Sequence, residues 1–121
     1  MGNKKILIID DDKEFCEMLE DILQLKGYDV QKAFNGKEAL KIMENEKFDL
    51  VITDKNMPEL CGIEVITGIK KQFPKIPVII TTAFGDKKFK EESLKAGAFE
   101  YFSKPLKISN LIDAINRATG R

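Results

Sequence analysis

Five short apolar runs, each followed by a segment with helical spacing, restrict this chain more than any other feature. The runs are Ile6-Leu7-Ile8-Ile9, Val30 with Ala33 and Phe34, Leu50-Val51-Ile52, Val78-Ile79-Ile80, and Phe99 to Phe102. Three or four consecutive aliphatic residues suit strands covered on both faces, as in a parallel sheet. After the first run, Phe15, Met18, Leu19, Ile22 and Leu25 fall at helical intervals and predict a helix with that stripe turned inward. Asp12 is placed to cap its start and Gly27 to stop it. Asn35 with Glu38 has the spacing of a capping box, ahead of Ala39, Leu40 and Met43. Ile66, Ile69 and Phe73 mark a third helix closed by Pro74, and Ile108, Leu111, Ile112 and Ile115 mark the last. The segment from Asp86 to Ala96 is the weakest helix, with only Phe89, Leu94 and Ala96 to offer apolar contacts. Regular strand–helix alternation predicts right-handed βα units in an α/β, doubly wound, flavodoxin-like sandwich. The expected sheet is parallel and five-stranded, in the order 2-1-3-4-5.

Size and composition narrow the chemistry. The 121 residues read as a single domain spanning 1–121. Twenty Lys and Arg balance twenty Asp and Glu, without the basic surplus expected of a nucleic-acid binder. No apolar run approaches the roughly 18–20 residues of a membrane span, and no signal-peptide pattern opens the chain; the reading is a cytoplasmic protein. There is no histidine, which excludes Ser-His-Asp and Cys-His nucleophile systems, an HExxH zinc site and a phosphohistidine relay residue. Cys16 and Cys61 form no CxxC pair. Chemistry must therefore rest on carboxylates, lysines, hydroxyls and a hard metal.

In a doubly wound sheet, ligands bind beyond the carboxyl ends of the strands. Asp10, Asp11 and Asp12 follow the first run, Thr53 and Asp54 the third, Thr81 and Thr82 the fourth, and Ser103, Lys104 and Pro105 the fifth. The second run ends in Lys32-Ala33-Phe34 and supplies no carboxylate. Carboxylates from two strand ends repel one another and call for a compensating cation, and a hard divalent ion such as Mg²⁺ takes such oxygen ligands. Taken alone, the acidic triplet serves equally well to cap a helix. Its combination with Asp54 and Lys104 at matching strand ends favours the metal.

These pieces together resemble the receiver domain of two-component response regulators. The resemblance runs from Lys5 to about Ala118 and rests on Ile6 to Asp11, Asp54-Lys55-Asn56-Met57-Pro58, Val78 to Ala83, and Tyr101-Phe102-Ser103-Lys104-Pro105. The pattern looks most like single-domain receivers of the sporulation-relay kind, or the receivers of enhancer-dependent transcription regulators. The resemblance implies that Asp54 accepts a phosphoryl group from a histidine kinase or a histidine phosphotransferase. It further implies that Asp11, Asp54 and the backbone carbonyl of Asn56 hold Mg²⁺, with Asp10 acting through metal-bound water. Lys104 would pair with the incoming group, Thr82 would hydrogen-bond it, and Tyr101 would be the aromatic switch. The bond between Lys104 and Pro105 would be cis. A change at this site would reach a downstream effector or output domain through the surface of the fourth helix, fifth strand and fifth helix.

Two departures stand out. Cys61-Gly62 replaces the Asp-Gly often found after the Met-Pro turn, and Phe84 stands where many members carry a polar residue, an apolar ring expected to slow loss of the phosphoryl group. Three rival readings fit less well. A haloacid-dehalogenase-type phosphatase would use the DxD of Asp10 and Asp12, but the hydroxyl residue that should follow is replaced by Glu14. A flavodoxin-type electron carrier would need a Gly- and hydroxyl-rich phosphate loop where three aspartates stand. A pseudo-receiver that only binds partners is disfavoured by the intact acidic pair, Asp54, Thr82 and Lys104.

Overall fold

The computed structural model describes residues 3–54, 62–83 and 87–120. Five strands alternate with five helices: β1 Lys5–Ile9, α1 Lys13–Leu25, β2 Asp29–Ala33, α2 Gly36–Asn45, β3 Leu50–Asp54, α3 Gly62–Gln72, β4 Val78–Thr82, α4 Lys87–Ala96, β5 Glu100–Ser103 and α5 Ile108–Thr119. All strand pairs are parallel, and the sheet order is β2-β1-β3-β4-β5, as the alternation predicts. The central strands are the aliphatic runs. Every residue of β3 and β4 is buried, which requires cover on both faces. The edge strand β2 alternates exposed and half-buried positions until the buried Ala33 at its end, explaining why its run is the thinnest in the sequence.

Two cores result, one on each face. Leu7, Ile9, Val51, Val78 and Ile80 pack with residues of α2 and α3, and Phe89 and Ala96 of α4 reach the edge of that cluster. Ile6, Ile8, Leu50, Ile52 and Ile79 pack with α1 and α5 on the other side. The expected caps hold: the Asp12 carboxylate accepts from the Phe15 amide at 3.2 Å, and the Asn35 side chain from the Glu38 amide at 2.8 Å. Gly27 ends α1 with a φ of 92°, a conformation that costs a glycine little.

Three expectations need correction. The inward stripe of α1 consists of Cys16, Leu19 and Leu23, while Met18 is 46% and Leu25 87% exposed. The reason is rotational: the helix turns its Cys16–Leu23 line to the sheet, which leaves residues two positions further round the helix facing outward. In α4 the buried side chain is Ser93, and Leu94 is 41% exposed. The last helix buries Leu111, Ala114 and Ile115, whereas Ile108 and Ile112 are only half-buried.

Candidate functional site

Asp10, Asp11, Asp54 and Lys104 come together at the carboxyl edge of the sheet. One carboxylate oxygen from each of Asp10, Asp11 and Asp54 lies within 4.8 Å of the others. Asp10 is buried and Asp54 is 8% exposed, while Asp11 faces solvent. Asp12, the third acid of the triplet, is the N-cap of α1, so the capping explanation holds for that residue. Asp10 is fixed on two sides: its Oδ1 accepts from the Asp12 amide at 2.9 Å, and its Oδ2 from Lys104 Nζ at 2.8 Å.

Lys104 spans the site, with its Nζ also 3.6 Å from Asp54 Oδ1. Burial alone would make the ammonium easier to deprotonate. The Asp10 hydrogen bond, with the charges of Asp10, Asp54 and Asp12, outweighs this and raises the lysine above its ordinary value, so it stays a cation. The bond from Lys104 to Pro105 is cis, as the resemblance implied.

Asp54 pairs in register with Thr81, and Thr82 with Ser103. The backbone amide of Lys104 donates to the Thr82 carbonyl at 2.6 Å, tying the lysine to the end of β4. Thr82 is fully buried and alternates in phase with Val78 and Ile80, on the face of α2, α3 and α4. Tyr101 belongs to the same face; it is 7% exposed, already turned inward, with its ring centroid 5.9 Å from that of Phe89. Asp10, Asp54 and Lys104 continue the opposite alternation, that of Ile8, Ile52 and Phe102. The charged groups thus arise from one face of the sheet and the hydroxyl–aromatic pair from the other. Thr81 is buried and donates from its hydroxyl to the Thr53 carbonyl at 3.5 Å. Asn56, Cys61 and Phe84 lie outside the described residues.

Sequence reasoning missed two participants. The helical spacing places Phe15 in the inward stripe of α1, yet Lys104 Nζ stands 4.1 Å from its ring centroid. No local signal reveals this pairing, because 89 positions separate the two residues and only the fold brings them together. Cys16 is fully buried and its Sγ donates to the Asp10 carbonyl at 3.3 Å. Burial, reinforced by the Asp10 charge, pushes its thiol up to about 12.

The comparisons with known proteins agree with this geometry. The family model of the response regulator receiver domain matches residues 6–116. The chain is 38% identical over 117 residues to sporulation initiation phosphotransferase F of Bacillus subtilis, covering 97% of this chain and 94% of that protein. It is 39% identical over 117 residues to the transcriptional regulatory protein ZraR of Salmonella typhimurium, covering 97% of this chain but only 26% of that protein. Several curated relatives are thus about four times as long as the matched stretch. A response regulator receiver domain protein from Clostridium thermocellum superimposes with a TM-score of 0.91 at 40% identity, covering 98% of this chain and 95% of the other. A CheY-like receiver domain protein from Methanospirillum hungatei gives 0.93 at 32% identity, with the same coverage. No helix among the described residues is long and apolar enough to cross a membrane. Sequence, topology and the acidic edge converge, and the chain belongs to the response regulator receiver domains.

Proposed function

We propose that Asp54 is the phosphoacceptor and that the chain catalyses its own phosphorylation, and the slow loss of the phosphoryl group, with Mg²⁺ bound. The carrying observation is the meeting of Asp10, Asp11 and Asp54 within 4.8 Å beside a lysine ammonium. Three carboxylates face one cation, and the surplus negative charge with its hard oxygen donors fits Mg²⁺. Asp11 and Asp54, with the carbonyl of Asn56, would hold the ion, and Asp10 would support it through water. When bound, Mg²⁺ supplies charge neutralisation for the oxygens of the transferring group.

The remaining work falls to the chain's own groups. A carboxylate oxygen of Asp54 attacks phosphorus as the bond to the donor breaks, and the leaving group departs in line. Lys104 balances charge on the phosphoryl oxygens, and the Asp10 contact keeps it within reach. Thr82 would donate its hydroxyl to a phosphoryl oxygen. Because Thr82 and Tyr101 share a face with Phe89 of α4, its movement would change the packing beneath the surface of α4, β5 and α5.

The donor would be a histidine kinase or a histidine phosphotransferase. An apolar groove of ≈ 260 Å³ beside the site supports docking there, with Met18 and Ile22 on one wall and Pro105, Leu106 and Ile108 on the other. The recipient of the signal would be an effector or an output domain. We place the protein in the cytoplasm, with neither nucleic acid nor membrane as a direct partner.

Intact mass after incubation with acetyl phosphate and Mg²⁺ tests the reading. One phosphoryl group should be gained by the wild type, and none by Asp54→Asn or in the presence of EDTA. A wild type that takes up no phosphoryl group from acetyl phosphate or phosphoramidate would overturn it in favour of a partner-binding pseudo-receiver.

A further inference from the structure

We propose that Phe15 is a positioning residue for Lys104: its ring forms the third wall of the ammonium's seat and holds the cation over Asp54. The proposal rests on the phosphoacceptor reading above and deepens it. Nζ carries three N–H groups. Asp10 takes one at 2.8 Å, Asp54 lies on a second side at 3.6 Å, and the Phe15 centroid lies 4.1 Å away. That separation is well inside the range in which a cation is attracted to an aromatic face. The Lys104 side chain is only 20% exposed, so the ring stands close to where water would otherwise solvate the ammonium.

The ring is itself held in place. The Phe15 amide is the one that the N-cap carboxylate of Asp12 accepts from, which fixes the first turn of α1. The side chain is half-buried in the core cluster shared by α1 and α5, and it helps wall the apolar groove with Met18, Ile22 and Pro105. An aliphatic residue here would fill space without offering a negative face to the cation. Lys104 would then be held by the two carboxylates without a third wall and spend part of its time in solvent.

Two readouts test this, using Phe15→Leu and the ring-retaining Phe15→Tyr. By NMR on lysine-labelled protein, the ring current should move the Lys104 ε-methylene protons upfield in the wild type and in Phe15→Tyr, and the shift should vanish in Phe15→Leu. With acetyl phosphate and Mg²⁺, Phe15→Leu should lower the maximal rate of phosphorylation about three- to tenfold, leaving the half-saturating Mg²⁺ unchanged, while Phe15→Tyr stays near wild type. Equal rates in all three proteins, or an equal fall in both variants, would overturn the proposal while leaving Asp54 as acceptor. An unshifted lysine in the wild type would also overturn it, whether or not the variants fold. A wild type that accepts no phosphoryl group would instead remove the phosphoacceptor reading, and the role of the ring with it.

Discussion

Lys104 is anchored to Asp10 at 2.8 Å and stands 3.6 Å from Asp54, so the lysine rests against the neighbour of the proposed acceptor. Asp10 is 1% exposed and depends on this contact for its compensation. Lys104→Met should therefore lower stability by about 1–3 kcal/mol, less than a fully buried pair because the lysine retains some contact with water. Adding Asp10→Asn should recover part of the loss, since the more deeply buried of the two carboxylates facing Lys104 is then neutral. Urea unfolding of the two single variants and the double variant measures the coupling.

The acidic edge should show its repulsion when divalent ions are removed. In EDTA, Asp11→Asn is expected to unfold at a higher temperature than the wild type, because one of three converging charges is gone. Added Mg²⁺ should raise the wild-type midpoint, by mass action worth about 2.7 kcal/mol at a hundredfold excess over Kd. The variant should respond far less. Thermal unfolding with and without Mg²⁺ decides the matter, and an equal response would remove Asp11 from the ion site.

Ser93 is the buried side chain of α4, and its hydroxyl has no hydrogen-bond partner among the described residues. Ser93→Ala should stabilise the protein by about 0.5–2 kcal/mol, through relief of a desolvated hydroxyl and better helix propensity. A loss of stability in chemical denaturation would show that the hydroxyl is satisfied in solution.

Cys16 predicts an alkaline limb. Its thiol ionises near 9.0 when free and is pushed to about 12 in the fold by burial, so the folded chain holds the proton more tightly. Stability from this source is complete below the free value and is lost as pH rises from there toward the folded value. In a Cys61→Ser background, unfolding free energy should fall more steeply between roughly pH 9 and 11 than in the same chain carrying Cys16→Ala. The native thiol should also resist alkylation at neutral pH and react once urea unfolds the chain. Parallel slopes would show that Cys16 ionises freely in the native state.

Much of this was legible from the residues alone, for identifiable reasons. Strands β3 and β4 announce themselves because two-sided burial demands uninterrupted aliphatic residues, and the parallel topology then dictates where Asp10, Asp54 and Lys104 must gather. Caps at Asp12 and Asn35 are local chemistry and were readable for that reason. The facing of α1 was not, because Leu25 and Leu23 are interchangeable as letters, and only docking against β1 decides which is buried. Phe15 illustrates the same limit at the site, since its importance comes from Lys104, a residue on the far side of the chain.

Helix α4 buries a single side chain, a serine, while most of its other positions face outward. Apart from Ser93 and the half-buried Phe89 and Ala96, folding therefore places little demand on the identity of residues 87–96. Substitutions at the outward positions cost the core nearly nothing, which leaves that surface free to diverge between otherwise similar chains. The floor of the site, built on fully buried strands, has no such latitude. Any restriction found on the outward positions of α4 would have to come from what touches them.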